Sequence, residues 1–184
     1  MKRLTGTETL FINNSTFAKN SIQDFWQWAF SDLKMNDVRG VFAEWMVAKL
    51  LGIPLTVRDS WSDHDLEIDG MKIEVKCAAY LQSWVQRQPS RIVFSGLRGK
   101  VYNYENNTYA ENQTYNADVY VFCVQKETDD TKWNALDLRQ WEFYILGKKT
   151  VKALGQSSIS LRKVQQIAPK CTAENLSEFV FHRK

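Results

Sequence analysis

The chain has 184 residues, of which 44% are hydrophobic and 13% aromatic. This length and this apolar content suit a single domain, 1–184, with one core, and they exclude a mostly disordered chain. The net charge of +3 is well below that of proteins that hold nucleic acid by phosphate attraction alone, so nucleic-acid binding has to be argued from a site.

The amino-terminal sequence and the cysteines bear on where the protein acts. The opening MKRLTGTETLFINNSTF has no unbroken apolar run before Asn13, so we expect neither a signal peptide nor a membrane span. Cys77, Cys123 and Cys171 are scattered and form no CxxC pair, which fits neither a disulfide framework nor a zinc site. These features predict a cytoplasmic protein without membrane contact.

Two helices are predicted in the first third of the chain. Ser21 and Asp24 form a capping-box pattern, and apolar residues follow at helical spacing through residues 22–33, which predicts an amphipathic packing helix. A second helix is expected over residues 38–51, with Asp37 as its N-cap. Both helices are expected to pack against the core.

Glu44 lies in an apolar stripe of the second predicted helix. On a helical wheel, its near neighbours are all small or apolar: Gly40, Val41, Val47, Ala48 and Leu51. Arg39 and Lys49 fall on the opposite side, where we expect solvent. A carboxylate that faces a core needs a partner, which can be a metal ion or an arginine.

A hairpin and three later strands are predicted in the rest of the chain. Residues 65–76, DLEIDGMKIEVK, alternate on either side of Asp69-Gly70, a strong signal for a two-residue turn. Three apolar runs rich in β-branched and aromatic residues are predicted as buried strands: 91–94, 118–124 and 141–146. The expected fold class is α/β, a mixed central sheet with an acidic β-hairpin, flanked by helices.

Two less regular segments complete the prediction. Residues 97–117 contain many asparagines and four tyrosines without a clean period, which predicts a long surface loop or a loose hairpin. Near the carboxyl end, Thr172 is a plausible cap for a last short helix that reaches Phe179. No repeat, low-complexity tract or linker divides the chain.

The hairpin register converts sequence spacing into geometry. A two-residue turn pairs Asp65 with Glu74 and places their side chains on one face. The polar face then gathers Asp65, Glu67, Lys72, Glu74 and Lys76. Two opposed carboxylates repel each other, and a hard divalent cation such as Mg²⁺ relieves that repulsion. The alternative is a solvated face on which the two lysines balance the acids.

Glu44 on a helix, then Asp65, then the tripeptide Glu74–Lys76 on a hairpin resembles the PD-(D/E)xK signature of restriction-endonuclease-like nucleases. His64 stands where the motif's name has proline, and Asp63 is a rival for the aspartate, which by register would face Lys76. Longer stretches, among them RGVFAEWMVAKLLG and IEVKCAAYLQSW, resemble a bacterial group in the same superfamily that has no settled function.

The resemblance implies a restriction-endonuclease-like core and a Mg²⁺-dependent nuclease, with Mn²⁺ as a substitute. Asp65, Glu74 and the backbone carbonyl of Val75 would bind the metal, with Glu44 in its inner or outer shell. Lys76 would orient the attacking water and stabilise negative charge on phosphorus.

Further residues are weaker candidates for the same site. Gln82 matches, by spacing, an additional glutamine of several nucleases that the chain resembles; the alternative is an ordinary surface amide. For phosphate contact we consider Arg87, Arg91, Arg98 and Lys100, followed by the tyrosines of residues 97–117, because unpaired bases stack on aromatic rings. A soluble loop with incidental charges would have the same composition.

Three functions are therefore compared. The first is a DNA nuclease of restriction, defence or repair type, with endonuclease action favoured. The second is a catalytically inactive protein of the same fold that binds nucleic acid or protein. The third is an unrelated α/β interaction domain, in which case Asp65 and Glu74 should point into separate regions. A homodimer would suit the cutting of two strands, although no sequence feature requires it.

Overall fold

A computed structural model describes residues 2–182, apart from the side chains of Ala18 and Lys19. The strands are β1 (Thr9–Ile12), β2 (Ser15–Ser21), β3 (Leu66–Ile68), β4 (Met71–Ala79), β5 (Val93–Ser95), β6 (Tyr102–Asn103), β7 (Thr108–Tyr109), β8 (Val119–Gln125), β9 (Trp141–Gly147), β10 (Ser158–Ser160) and β11 (Lys170–Cys171). The helices are α1 (Ile22–Phe30), α2 (Asn36–Leu50), α3 (Lys148–Leu154), α4 (Leu161–Ile167) and α5 (Leu176–Phe181).

Five strands form a central sheet in the order β11-β9-β8-β4-β3. β4 and β8 are parallel, and the other neighbours are antiparallel, so the prediction of a mixed sheet is confirmed. Every residue of β8 is buried, because apolar layers cover both faces of the sheet at its centre. The three strands predicted from apolar runs exist, each within two residues of its expected start.

Two apolar layers cover the two faces of this sheet. On one face, α2 and α5 pack against alternate residues of the strands, including Ile73, Val75 and Phe143. On the other face, α3, α4, β5 and β10 cover the remaining alternate residues, including Tyr120 and Phe122. The flanking helices of the prediction are therefore confirmed.

The β3–β4 hairpin has the predicted turn and, from Leu66 to Met71, the predicted register; the predicted Asp65–Glu74 pair is absent, because regular pairing ends at Leu66. Asp69 and Gly70 have positive φ angles of 50° and 76°, as a two-residue primed turn requires. Leu66 pairs with Ile73, and Ile68 pairs with Met71. Along β4, buried residues alternate with half-buried ones from Met71 to Lys76, which places Glu74 and Lys76 off the α2 side, as expected.

The first two helices differ from their predictions in ways that packing explains. α1 has the expected capping box but buries no residue, so the prediction of a packing helix is wrong. α2 begins at Asn36, so its N-cap is Met35 and not the predicted Asp37. Arg39 is 4% exposed, so the wheel placed it wrongly in solvent; the sequence of α2 alone does not show which neighbours accept its guanidinium.

Three smaller segments complete the comparison. Residues 97–117 form a loose hairpin through β6 and β7, as one alternative predicted. Thr172 does not cap α5, because Asn175 precedes that helix and accepts from the Thr172 backbone N–H. The β1–β2 hairpin was not predicted; its signal is Asn13-Asn14, both at positive φ, since asparagine tolerates that conformation in turns. No described helix has the length and apolarity to span a bilayer.

Candidate functional site

A cleft of about 370 Å³ opens between α2, the segment that follows it and the start of β3. Two of the predicted site residues, Glu44 and Asp65, line this cleft. Arg58, Asp59 and Ser62 line it from the connecting segment. The cleft therefore brings Glu44 and Asp65 together, whereas Glu74, Val75 and Lys76 do not line it.

Asp65 lies immediately before β3, at the open edge of β4. Its backbone N–H donates to the Ile73 carbonyl at 3.1 Å, and its Oδ2 accepts from the Val75 N–H at 2.7 Å. Regular pairing between β3 and β4 ends at Leu66. In the described part of the chain, no strand carbonyl therefore accepts from the Val75 N–H on this side, and the Asp65 carboxylate accepts instead. The N–H and C=O of a strand residue point to the same side, and so the Val75 carbonyl is also directed to this edge.

Two other acids influence Asp65 at this edge. Burial, followed by the neighbouring carboxylates Glu74 and Glu44, raises the pKa of Asp65 to about 7. The Val75 N–H and the Lys76 ammonium act in the opposite direction but do not compensate. The fold thus holds Asp65 where its charge is unfavourable, which identifies it as an electrostatically frustrated residue.

Glu74 and Lys76 form an ion pair on β4. Glu74 Oε1 lies 2.6 Å from Lys76 Nζ, and both side chains are about one-fifth exposed. Lys76 Nζ also passes the turn after β5, where a Cβ added at Gly96 would lie 3.4 Å from it. By the β4–β8 register, Glu74 pairs with Tyr120, so these two site residues lie on the sheet face opposite α2.

Glu44 is bound by an arginine that the sequence analysis did not identify. Arg58 donates through Nε to Glu44 Oε2 at 2.5 Å and through a terminal nitrogen to Oε1 at 2.7 Å. The hydrogen bond to Glu44 raises the pKa of Arg58. This is the arginine-paired alternative for a carboxylate on the apolar stripe. Because Arg58 lies in an irregular segment fourteen residues away, no sequence period links the two.

The rival aspartate, Asp63, has a balanced environment. It accepts from His64 Nδ1 at 2.6 Å and from Lys72 Nζ at 2.9 Å, so its partner is Lys72 and the predicted contact with Lys76 is wrong. Burial alone would raise the pKa of Asp63, but His64 and Lys72 together lower it below the ordinary value. Asp63 therefore forms a structural ion pair with Lys72.

Gln82 lies apart from the cleft, in a buried network. It is 9% exposed, so it is not the ordinary surface amide that was one alternative. Its amide nitrogen donates to the Ala79 carbonyl at 2.9 Å, and its oxygen accepts from Arg39 at 3.2 Å. Arg39 also donates to the Lys34 carbonyl at 2.6 Å, and these contacts explain its burial. Gln82 thus anchors the start of α2 to the end of β4.

The predicted phosphate-contacting residues divide into two groups. Arg87, Arg91 and Lys100 are exposed and are free to meet a polyanion. Arg98 is half-buried; it donates to the Tyr115 hydroxyl at 2.9 Å and to the Gly155 carbonyl. The contacts of Arg98 hold the loose hairpin region to the end of α3, which is a structural role.

An aromatic cluster lies at the rim of the cleft, and its tryptophan was not predicted. Trp61 lies 5.3 Å from Tyr102 and 6.3 Å from Tyr109, measured between ring centroids. Tyr104 packs edge-on to Tyr102 at 5.2 Å, and its hydroxyl donates to Asp59 at 2.9 Å. Asp59 lines the cleft, so the rings of this cluster adjoin the acidic residues.

The donor set suits a hard divalent cation in chemistry. Carboxylates and a backbone carbonyl are the ligands that Mg²⁺ takes, and within residues 2–182 no hydrogen bond reaches Asp65 Oδ1. The same described residues hold no group of three acidic, histidine or cysteine side chains already arranged around one point. Glu44 and Glu74 are instead turned to Arg58 and Lys76. No protein-family model and no curated protein matches the chain.

Proposed function

We propose that this protein is a metal-dependent nuclease of the restriction-endonuclease-like type, which hydrolyses phosphodiester bonds in DNA in the cytoplasm. The observation that carries the proposal is the Asp65 carboxyl, which lines the cleft with Glu44 and accepts from the Val75 N–H, and whose pKa burial, Glu74 and Glu44 together raise to about 7. Titratable groups with such perturbed values concentrate at functional sites in clefts.

The unrelieved repulsion at Asp65 is what a cation site requires. A fold that needed only stability would gain by replacing Asp65 with asparagine, because the amide oxygen can still accept from Val75 N–H. An aspartate at this position, beside two other acids, instead favours a role in which a cation completes the charge balance. Asp65, Glu74 and the Val75 carbonyl would hold that cation, with Glu44 as a further ligand.

When bound, Mg²⁺ or Mn²⁺ supplies Lewis-acid activation of the phosphate and of a water molecule. Lys76, whose Nζ lies 2.6 Å from Glu74 Oε1, would stabilise the negative charge that develops on the phosphate oxygens. Glu74 holds Lys76 in place and would share its oxygens between this lysine and a cation.

Arg58 forms an ion pair with Glu44, as Lys76 does with Glu74. Its side chain is 43% exposed on the cleft wall, whereas that of Glu44 is 13% exposed. A guanidinium fork binds a phosphate in the same bidentate manner as a carboxylate. We propose that Arg58 transfers from Glu44 to a substrate phosphate, which leaves Glu44 free to face the cation.

The rim favours a substrate with unpaired bases. Trp61, Tyr104 and Tyr109 each expose about half of their surface, and an exposed ring can stack on any base. Exposed Lys100 lies on the same irregular segment and can meet the phosphate backbone. Single-stranded DNA, or a duplex opened at the cutting site, fits this combination of rings and cations.

Cleavage by the purified chain tests the proposal. Linear duplex, supercoiled and single-stranded DNA, together with RNA, are incubated with Mg²⁺, Mn²⁺ or EDTA. We expect metal-dependent cutting of DNA that is lost in Asp65→Asn prepared in parallel, since a contaminating nuclease would survive the substitution. Cutting that persists in EDTA, or that Asp65→Asn leaves unchanged, would contradict the assignment.

A second candidate function rests on the ion pairs. Glu44 and Glu74 each have a cationic partner, as in an inactive protein of the same fold that binds nucleic acid or protein. Such a protein would bind DNA equally well with Mg²⁺ and with EDTA and would not take up Mn²⁺. Calorimetric titration with Mn²⁺ separates the two functions, because only the nuclease needs the metal.

A further inference from the structure

We infer that the β1–β2 hairpin and α1, hereafter the amino-terminal arm, form the surface through which two copies of this chain associate. The inference is independent of the nuclease proposal. No residue of β1 or of α1 is buried. The large apolar side chains that the arm exposes are Leu10, Phe11, Ile12, Phe17, Phe25, Trp26, Trp28 and Phe30.

Apolar side chains cover both faces of the hairpin. Ile12 pairs with Ser15, and Phe11 pairs with Thr16, so Ile12 and Phe17 lie on one face and Phe11 on the other. Phe11 is 70% exposed and Phe17 is 67% exposed. A two-stranded hairpin without a covering layer is marginally stable in water, and within the described residues apolar side chains stay exposed on both faces of this hairpin.

The rings of α1 extend the same exposed surface. Phe25 lies 6.4 Å from Trp28 and 5.9 Å from Phe30, and Trp28 is 83% exposed. From the usual area of an aromatic side chain, the six aromatic residues of the arm expose roughly 700 Å². Phe11 and Phe17 lie on opposite faces of the hairpin, so this total is spread over more than one side of the arm; it approaches the 800 Å² or so that each partner buries in a stable complex.

A second copy of the chain is the partner that the chemistry of the arm favours. A two-fold interface places a surface against itself, which requires that like charges do not meet. The three elements contain one charge of each sign, Lys19 and Asp24, and Asp24 is already held by the Ser21 backbone N–H. A strongly acidic or basic partner would find little complementary charge here.

The hairpin also offers a self-complementary edge. Within the described residues, β1 and β2 form a sheet of two strands only, so each has an outer edge of unpaired backbone groups. Two identical strands related by a two-fold axis run antiparallel, and they can therefore pair to make one four-stranded sheet across the interface.

Light scattering during size-exclusion chromatography tests the inference on the full chain. We expect a mass near twice 21.5 kDa, and a dimer weakened roughly 100-fold or more when two central aromatic anchors are lost in Phe11→Ser with Trp28→Glu. The control is Trp84→Glu, which changes a tryptophan that is also exposed, at 56%, but lies outside the arm; its mass should stay dimeric.

Amide hydrogen exchange on the unchanged protein provides a second measurement that needs no substitution. Protection of residues 9–12 should rise with protein concentration, because dimerisation covers β1. A mass of 21.5 kDa at every concentration, or a double variant that stays dimeric, would overturn the inference. In the first case the arm would have a different partner, and in the second the dimer would use another surface.

Discussion

Asp63 and Asp65 are two residues apart and both are half-buried, yet the fold treats them in opposite ways. Asp63 contacts His64 and Lys72, and its pKa is lowered despite its burial. Asp65 contacts one backbone N–H, and its pKa is raised to about 7 by burial and by two other carboxylates. The fold therefore balances the charge of one acid internally and leaves the charge of the other unfavourable.

The largest effect is expected on the DNA cleavage rate, when the two lysines on the polar face of β4 are compared. Lys72 pairs with Asp63, and Lys76 pairs with Glu74. Lys76→Met should lower the DNA cleavage rate roughly 10²–10³-fold, because it removes the charge that the proposed mechanism assigns to stabilising the reacting phosphate. Lys72→Met is the matched control and should stay within a few-fold of the wild-type rate. Equal losses in the two variants would show that the site does not discriminate between these lysines.

The next effect concerns stability and its dependence on pH. The folded pKa of Asp65, about 7, lies above its ordinary value of 3.8, so between these values the folded chain binds more protons than the unfolded chain. The free energy of unfolding then falls as the pH rises through this window. Asp65→Asn removes this loss of stability. At pH 8 the variant should be more stable than wild type by about 2–3 kcal/mol, measured by urea denaturation. This is less than the full pKa shift of Asp65 implies, because the residue is partly exposed.

Asp63→Asn is the control of opposite sign. The lowered pKa of Asp63 means that its charge stabilises the fold above the ordinary pKa and that this stability is lost as the pH falls through the folded value. Asp63→Asn should therefore be less stable than wild type at pH 8. If both substitutions destabilise the protein equally there, the contrast between the two acids is wrong.

A smaller effect is expected at the aromatic rim of the cleft. Trp61 and Trp84 are each 56% exposed, but only Trp61 packs with Tyr102 and Tyr109. Trp61→Ala should weaken binding of single-stranded oligonucleotide, measured by anisotropy in EDTA, by about 1–3 kcal/mol, the range for loss of one stacked base. Trp84→Ala should leave the affinity unchanged. A loss of affinity in both variants would point to a nonspecific aromatic contribution.

The smallest effect is expected at the Arg58–Glu44 pair. Arg58→Gln removes the cation that competes for Glu44, so Mn²⁺ affinity measured by calorimetry should rise by a few-fold, the scale of a partly exposed ion pair. Arg139→Gln is the control, because Arg139 pairs with Asp137, which does not line the cleft. Weaker Mn²⁺ binding in Arg58→Gln would show that Arg58 orients Glu44 and does not compete for it.

The sequence predicted the hairpin and its turn well because their determinants are local. The alternation of residues 65–76 and the Asp69-Gly70 turn lie within one short segment. Regular backbone pairing ends at Leu66, however, and Asp65 reaches the Val75 N–H through its side chain. The predicted pairing with Glu74 is therefore replaced by a side-chain contact one residue further along β4, which strand periodicity does not describe.

Contacts between distant segments were not predictable in the same way. A helical wheel describes one helix alone, so it placed Arg39 in solvent, although Gln82 and the Lys34 carbonyl bind it in the interior. Arg58 and Trp61 lie in an irregular segment without a period, and only the folded chain brings them to the cleft. The exposure of α1 also depends on tertiary packing, since its amphipathic pattern is typical of a surface helix that packs one face on the core.

Titration of the Asp65 carboxyl by NMR, with and without Mg²⁺, tests the acidic site most directly. Without metal we expect the pKa of this group to lie near 7. With saturating Mg²⁺ we expect it to fall well below that value, because a bound cation stabilises the carboxylate. A metal-free pKa near 3.8, or a raised pKa that Mg²⁺ leaves unchanged, would contradict the assignment of Asp65 to a cation site.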